Sequence, residues 1–257
     1  MSTWSRGVTR FAALFGVALV TMLTASARAD AQHSRGGFLF GTPDGTLTFR
    51  GGYARPTAGS DLFGFATSEL TLAKSDFAGI ELGADLGIMH GQQWEWLLSV
   101  DASTRSAESE YRAWTGSDGK PINQSTTFTR VPVLLGVRYY LRSPGTSIGR
   151  LAWIPASWVP WVAVQGGVMW YRFAQTGEFV NFANGNAVFA GDLESTGWAP
   201  TSALTAGVNL NLTPTFALVT QGRYVYARKT LGPDFTGFQP IDLTGGSVTA
   251  GLIIRIR

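Results

Sequence analysis

The sequence predicts an all-β fold, an eight-stranded antiparallel up-and-down transmembrane β-barrel. Eight segments alternate apolar residues with small or polar ones, which is the period of a strand with two unlike faces. The connections between these segments alternate between short and long, and aromatic residues gather near both ends of the segments. After the first residues, no run is long and apolar enough for a transmembrane helix.

The N-terminus has the pattern of a cleaved secretory signal peptide. Arg6 and Arg10 supply the positive start, FAALFGVALVTML supplies a short apolar core, and Ala27-Arg28-Ala29 supplies a small-x-small cleavage pattern. The apolar core is too short to span a bilayer as a helix. The expected organisation is a signal peptide over 1–29, a periplasmic N-terminal segment over 30–43 and a barrel over 44–257.

Removal of the signal peptide changes the charge of the chain. It takes away three of the 20 basic residues and none of the 17 acidic ones, so the mature chain carries equal numbers of each. A nucleic-acid-binding role based on basic charge is therefore excluded. The chain has no cysteine, which excludes disulfides and thiol chemistry.

The eight predicted strands each place apolar residues on one face and polar, charged or glycine residues on the other. The first four are TLTFRGGY (46–53), IELGADLGI (80–88), WEWLLSVDAS (94–103) and RVPVLLGVRY (130–139). The last four are VAVQGGVMW (162–170), LTAGVNLNL (204–212), FALVTQGRYVY (216–226) and SVTAGLIIRI (247–256). An even number of strands allows the barrel to close with both chain ends at one rim.

The connections predict which rim is which. Residues 90–93 and 213–214 are short turns of the periplasmic rim, whereas the long polar or glycine-rich links belong to the external rim. The long links are 55–79, 115–125, 177–197 and 231–241. Segment 143–160 is too long for a tight turn, and its Trp153, Ile154 and Trp158 suggest that it lies on the inner membrane interface or under the barrel. Loop 177–197 carries apolar residues that suit a partner contact or a fold over the barrel mouth.

Aromatic residues predict two girdles at the levels of the lipid headgroups, where an apolar ring with a polar tip is favoured. The periplasmic girdle is predicted to contain Trp94, Trp96, Tyr139, Tyr140, Trp158, Trp161 and Phe216. The external girdle is predicted to contain Tyr53, Tyr111, Trp114, Phe128, Trp170, Tyr171, Trp198, Tyr224 and Tyr226. The rival interpretation is a lipocalin-like barrel with its apolar face inward, which would place the charged residues on the outside.

The charged residues of the strands fall on the predicted lumen face. They are Arg50, Glu81, Asp85, Glu95, Asp101, Arg130, Arg138, Arg223 and Arg255. Because an eight-stranded barrel is just filled by its side chains, opposite charges are expected to pair across strands. Two interpretations follow: a structural salt-bridge core, which we favour, and a gated or selective pore in which pairs exchange partners.

No catalytic residue, metal ligand or cofactor is predicted. The two histidines, His33 and His90, both lie away from the external rim, and carboxylates alone make a weak metal site. Glu108 and Glu110 share one face near that rim and are interpreted as solvated charge. Cations near the external strand ends are predicted either to meet lipopolysaccharide phosphates or to be ordinary surface charge. They are Arg112, Arg172, Arg228 and Lys229.

The signal peptide, the eight alternating strands and the aromatic girdles together resemble the small outer-membrane β-barrels of Gram-negative bacteria, of the OmpA-transmembrane-domain, OmpX and OmpW type. The resemblance covers about 44–257, although the chain ends LIIRIR without the terminal aromatic residue usual for this type. It implies an outer-membrane location, contact with membrane lipid and lipopolysaccharide, help from the outer-membrane assembly machinery, and a monomer. The expected function is a non-enzymatic structural or binding barrel with a charge-plugged lumen, which contributes to envelope integrity or surface interaction. The alternative is an OmpW-like channel for small or hydrophobic solutes.

Overall fold

Antiparallel strands make up most of the chain in the computed structural model, which describes residues 37–116, 119–149, 151–181, 185 and 187–257. The predicted signal peptide lies outside these residues. The strands are β1 Leu39–Phe40, β2 Gly45–Pro56, β3 Gly79–His90, β4 Trp94–Thr115, β5 Pro121–Tyr140, β6 Gly145–Ile148, β7 Ala152–Pro155, β8 Trp158–Asn181, β9 Ala187–Asn211, β10 Phe216–Lys229, β11 Ile241–Asp242 and β12 Gly245–Ile256. Helix α1 is Asp61–Glu69, and 3₁₀ turns occupy Lys74–Phe77 and Pro233–Phe235. Among the described helices, none has the length and apolar character needed to cross a membrane.

Eight of the strands form a closed ring. Each of β2, β3, β4, β5, β8, β9, β10 and β12 pairs antiparallel with the next, and β12 returns to β2 through pairs that run from Gly245–Pro56 to Ile256–Gly45. The predicted eight-stranded antiparallel barrel is therefore confirmed. We call the rim with the 91–93 and 212–215 connections the turn end, and the opposite rim the loop end.

The predicted loops 115–125 and 177–197 are shorter than expected because two hairpins project beyond the ring at the loop end. β4 and β5 remain paired as far as Thr115–Pro121, and β8 and β9 as far as Asn181–Ala187. Cross-strand hydroxyl contacts join Thr104 to Thr129 at 2.8 Å and Ser106 to Thr127 at 2.7 Å. Residues 115–125 and 177–197 do not keep a regular apolar alternation along their length, so the sequence predicted loops there.

The free edges of the projecting hairpins are covered by the connections beside them. On β4, the backbone N–H of Thr71 donates to Glu110 O at 2.8 Å, and the N–H of Glu110 donates to Thr71 Oγ1 at 2.9 Å. On β9, the N–H of Glu194 donates to Asp234 Oδ2 at 3.0 Å. Covered edges prevent unwanted pairing with another chain.

The outer surface of the barrel is apolar. Ile80, Leu82, Leu135, Leu204 and Val248 are all more than half exposed, and all point away from the lumen. Eight of the nine charged residues predicted for the lumen face are buried, so the lipocalin-like arrangement is wrong for this chain. An apolar band on the outside of a closed barrel is what lipid contact requires.

The predicted girdles are only partly correct. Large aromatic residues are exposed at both ends: Trp94, Trp96, Trp158 and Phe216 at the turn end, and Tyr53, Trp198, Tyr224 and Tyr226 at the loop end. In contrast, Tyr140 and Trp161 are buried in the lumen, as are Tyr111, Phe128 and Tyr171. The reason is register, because Tyr140 shares a strand face with Arg138 and Trp161 shares one with Gln165.

The interior near the loop end is filled by an apolar core, which the sequence did not predict. Helix α1, in a segment interpreted as loop, inserts Phe63 among Phe77, Phe128 and Phe173, with ring centroids 5.0, 5.4 and 5.7 Å away. Phe63 is fully buried, as is its neighbour Leu62. The barrel is thus closed by apolar packing above the level of its charged residues.

The turn end is covered by a small three-stranded sheet in the order β1, β7, β6. This sheet contains the segment whose position the sequence left open, and it lies under the barrel. Trp153 of β7 is buried, and the guanidinium carbon of Arg255 lies 5.1 Å from the centroid of its ring. Residues before 37 in the predicted 30–43 segment are outside the described part of the chain.

Candidate functional site: the charged lumen

Six of the nine charged residues on the lumen face meet in one ion-pair network. Barrel closure brings them from five strands, and all six side chains are buried. The network comprises Arg50 on β2, Asp85 on β3, Glu95 and Asp101 on β4, Arg138 on β5 and Arg223 on β10. Three arginines balance three carboxylates, so the network has no net formal charge.

Arg50 is the centre of one half of the network. Its Nε and Nη2 atoms donate to the two carboxylate oxygens of Asp85 at 3.1 and 2.7 Å, a bidentate arrangement. Its Nη1 atom donates to Asp101, whose other oxygen accepts from Arg223. Asp101 therefore joins two arginines across the lumen.

Glu95 is the centre of the other half. Its Oε2 atom accepts from Arg138 Nη1 and from the Tyr140 hydroxyl, both at 2.8 Å, and its Oε1 atom accepts from Thr46 Oγ1. The guanidinium carbon of Arg138 lies 4.1 Å from the centroid of the Trp161 ring, a cation–π distance. Arg138 Nη2 also lies 3.8 Å from Asp85, which connects the two halves.

Two glycines of β3 make room for the network. A Cβ atom on Gly83 would overlap the Asp101 carboxylate and crowd the Arg50 guanidinium, and one on Gly87 would overlap the Glu95 carboxylate. Both glycines occupy inward positions beside Asp85. In ELGADLG both glycines share a strand face with Asp85, which indicates space for neighbouring charged side chains. The sequence analysis did not predict this role for them.

The other three predicted lumen residues lie outside these ion pairs. Arg130 Nη1 donates to Leu243 O at 3.1 Å, and Oε1 of Glu81 is buried without a hydrogen-bond partner among the described residues. Arg255 lies at the turn end, where its Nη1 atom donates to Pro214 O at 2.9 Å. A buried carboxylate that the sequence reading missed, Asp242, accepts from the N–H groups of Gly59 and Thr244 at the loop end.

A cavity of about 290 Å³ separates the network from the sheet at the turn end. Its lining includes Thr46, Tyr140, Asn209, Arg255 and Trp153. Polar walls of this kind suit water. Thr46 and Tyr140, which both donate to Glu95, line the cavity and place it beside the turn-end side of the ion-pair network.

The predicted lipopolysaccharide-binding cations do not form one cluster. Arg172 pairs with Glu194 at 2.8 Å, and Arg112 Nη2 donates to Leu72 O at 3.3 Å. Arg228 and Lys229 are exposed neighbours at the end of β10, and the Arg228 guanidinium carbon lies 5.9 Å from the centroid of the Tyr226 ring. Arg112 is exposed as well, whereas Arg172 is half-buried.

The histidines and the Glu108–Glu110 pair, which were considered as metal or catalytic groups, lie in separate parts of the chain. In the described ranges, no three His, Cys, Asp or Glu residues are grouped so that they could hold a metal ion. His90 ends β3 at the turn end, opposite Trp94, and His33 lies outside the described residues. Glu108 and Glu110 are exposed on the outer face of the projecting β4.

Comparison with known proteins gives fold similarity only. No family model matches the chain, and no curated protein matches it. Among solved structures, the chain is similar to the outer membrane protein OprG from Pseudomonas aeruginosa, at 14% identity over 85% of this chain and 99% of that one, with a TM-score of 0.44. It is also similar to Neisserial surface protein A, at 11% identity over 86% and 98% of the chains, with a TM-score of 0.42.

Proposed function

We propose that this chain is an outer-membrane β-barrel with a closed lumen, which serves the envelope as a structural or surface-binding protein. The observation that carries the proposal is the buried network of Arg50, Asp85, Asp101 and Arg223 with Glu95 and Arg138. These side chains fill the lumen between the levels of Glu95 and Asp101 on β4 and neutralise each other. Displacing them would leave buried charges unpaired, which costs several kcal/mol for each ion, of the order of 3–5 kcal/mol per broken pair.

The membrane location is supported by the outer surface of the barrel. Its exposed leucines, isoleucines and valines form the face that lipid would cover, and exposed tryptophans and tyrosines lie toward both rims. By the usual orientation of such barrels, the turn end with its short connections faces the periplasm and the loop end faces outward. Arg228 and Lys229 then lie at the level of outer-leaflet phosphates.

A second closure supports a non-conducting barrel. Phe63, Phe128 and Phe173 pack edge to face across the interior on the loop side of the network. A hydrated ion would have to displace this apolar packing before it reached the charged level. The OmpW-like alternative, a channel for small or hydrophobic solutes, needs both closures to open.

Single-channel recording in a planar lipid bilayer tests the proposal. The reconstituted chain is expected to show no sustained current steps above leak in potassium chloride. A known open porin, inserted by the same procedure, serves as the positive control. Sustained open steps from the wild-type chain would reject the closed-lumen proposal and favour the channel.

A further inference from the structure

A second cavity, of about 190 Å³, opens between the projecting hairpins and the 233–238 connection at the loop end. Its floor is apolar and continuous with the core, through Leu62, Leu70 and Phe235. Two pairs of rings flank it: Phe179 with Phe189, whose centroids are 5.7 Å apart, and Phe65 with Phe238, at 5.6 Å. Phe65 and Phe189 are exposed, so the cavity is open to solvent at its mouth. We call this cavity the aromatic cleft.

Two buried glutamines, Gln124 and Gln175, give the aromatic cleft polar groups beside Tyr111 and the Asp234 carboxylate. Oδ2 of Asp234 already accepts from the N–H of Glu194. Gln124 lines the cleft, and its Nε2 atom donates to the backbone carbonyl of Glu178 at 2.8 Å. A carbonyl can only accept, so this bond determines the orientation of the amide and leaves Oε1 as the free end. Gln175 also lines the cleft and hydrogen bonds to Thr126 Oγ1 at 3.3 Å. Among the described residues, no donor reaches the Oε1 atom of Gln124.

The position of Gln124 in the apolar cleft determines what a ligand must offer. Gln124 is 3% exposed, and its Oε1 atom faces the cleft, where water can donate to it. A ligand that displaces this water without replacing its hydrogen bond loses affinity. A ligand that fits must therefore present a hydroxyl or N–H group to Oε1 and an apolar body to the phenylalanines. Edge and face contacts with the flanking rings favour an aromatic body. The volume is below the roughly 300 Å³ at which pockets for drug-sized molecules begin, which restricts the ligand to about one ring.

We infer that the aromatic cleft binds a small phenol, with the ring between the two phenylalanine pairs and the hydroxyl donating to Gln124 Oε1. The site is separate from the lumen network, because the packed core around Phe63 lies between them. Binding here therefore requires no passage through the barrel, and the inference goes beyond the proposed structural role.

Fluorine NMR with 4-fluorophenol tests the inference on the full chain in phosphatidylcholine nanodiscs, with empty nanodiscs as the reference for partition into lipid. Saturable binding is expected, with a Kd at least about tenfold lower than that of fluorobenzene, because a site built to bind a hydroxyl rejects the analogue that lacks it. Binding that does not saturate above the empty-nanodisc signal would overturn the inference, as would equal affinity for the two probes.

Three variants separate recognition from folding. Gln124→Leu is expected to reduce the preference for 4-fluorophenol over fluorobenzene to below about twofold, since the acceptor is gone. Gln221→Leu is the matched control: Gln221 is equally buried but lies in the lumen, so the preference should stay near tenfold. Phe189→Ala, at the exposed mouth, should weaken both probes by a similar factor and leave the preference intact. A preference that survives Gln124→Leu would contradict the assignment.

Discussion

Glu95 and Arg138 face each other across β4 and β5, and the Nη1 atom of Arg138 lies 2.8 Å from Oε2 of Glu95. Both side chains are 0% exposed. Water therefore cannot screen either charge if its partner is removed. The same glutamate also accepts from Tyr140 and Thr46, so it connects three strands of the barrel.

Removal of either member of this pair is expected to destabilise the barrel. Glu95→Ala or Arg138→Ala leaves one buried ion without its partner, a change that costs about 3–5 kcal/mol. The free energy of unfolding, measured by urea titration in lipid vesicles, should fall by that order. Glu108→Ala, on the exposed outer face of the same β4, should change it by less than about 0.5 kcal/mol. Unchanged stability in both lumen variants would contradict the buried network.

The glycine at position 83 is expected to be required for the same network. In Gly83→Ala, the added Cβ overlaps the Asp101 carboxylate and forces the Arg50–Asp101 contact to shift, an overpacking that typically costs about 1–3 kcal/mol. The urea midpoint should fall accordingly. The matched control is Gly222→Ala on β10, because nothing lies within 4 Å of a Cβ built there. Equal effects of the two substitutions would mean that room for the carboxylate is not the reason for Gly83.

Helix α1 is expected to contribute to stability through one face only. Phe63 is fully buried among three other phenylalanines, so Phe63→Ala should leave a cavity and cost about 3–5 kcal/mol. Phe65, two residues away on the same helix, is 39% exposed, and Phe65→Ala should cost less than a third as much. Thermal unfolding in detergent compares the two. Similar losses for both variants would show that α1 does not plug the mouth as described.

Lipopolysaccharide binding is expected to depend on the end of β10. The double variant Arg228→Gln, Lys229→Gln removes two exposed cations that lie at the proposed headgroup level, so the affinity for lipopolysaccharide should fall about tenfold or less, and mainly at low salt. Arg142→Gln at the opposite, turn end is the control and should leave the affinity unchanged. Affinity can be measured by titration of purified lipopolysaccharide into nanodiscs. An equal loss in the control would exclude a contact specific to the loop end.

Two of the four cations predicted to meet lipopolysaccharide already have partners within the chain. Arg172, the third of the four, already pairs with Glu194, and Arg112 donates to a backbone carbonyl. Their charges are thus partly engaged within the chain. Variants of Arg228 and Lys229 therefore test the contact more directly than variants of the other two.

Alternation in the sequence was enough to predict the barrel and the face on which each strand residue lies. Glu95 and Asp101 are six positions apart, an even spacing, and share the lumen face, whereas Trp94 and Trp96 point outward. The same parity would have placed Tyr140 and Trp161 inside, but their aromatic character suggested a girdle. Period-two geometry is local, so sequence alone can read it.

Only the tertiary structure determined which residues contact each other inside the barrel. Asp101 and Arg223 are 122 positions apart and meet because closure of the ring brings β4 and β10 to opposite sides of one narrow lumen. The apolar plug has the same origin, since Phe63 of α1 finds Phe128 and Phe173 only after the strands that carry them have closed around it. The sequence thus determined which face each residue occupies, through the local geometry of the strand. Which residues touch across the interior depended on strand order, register and the width of the barrel, which no short segment encodes.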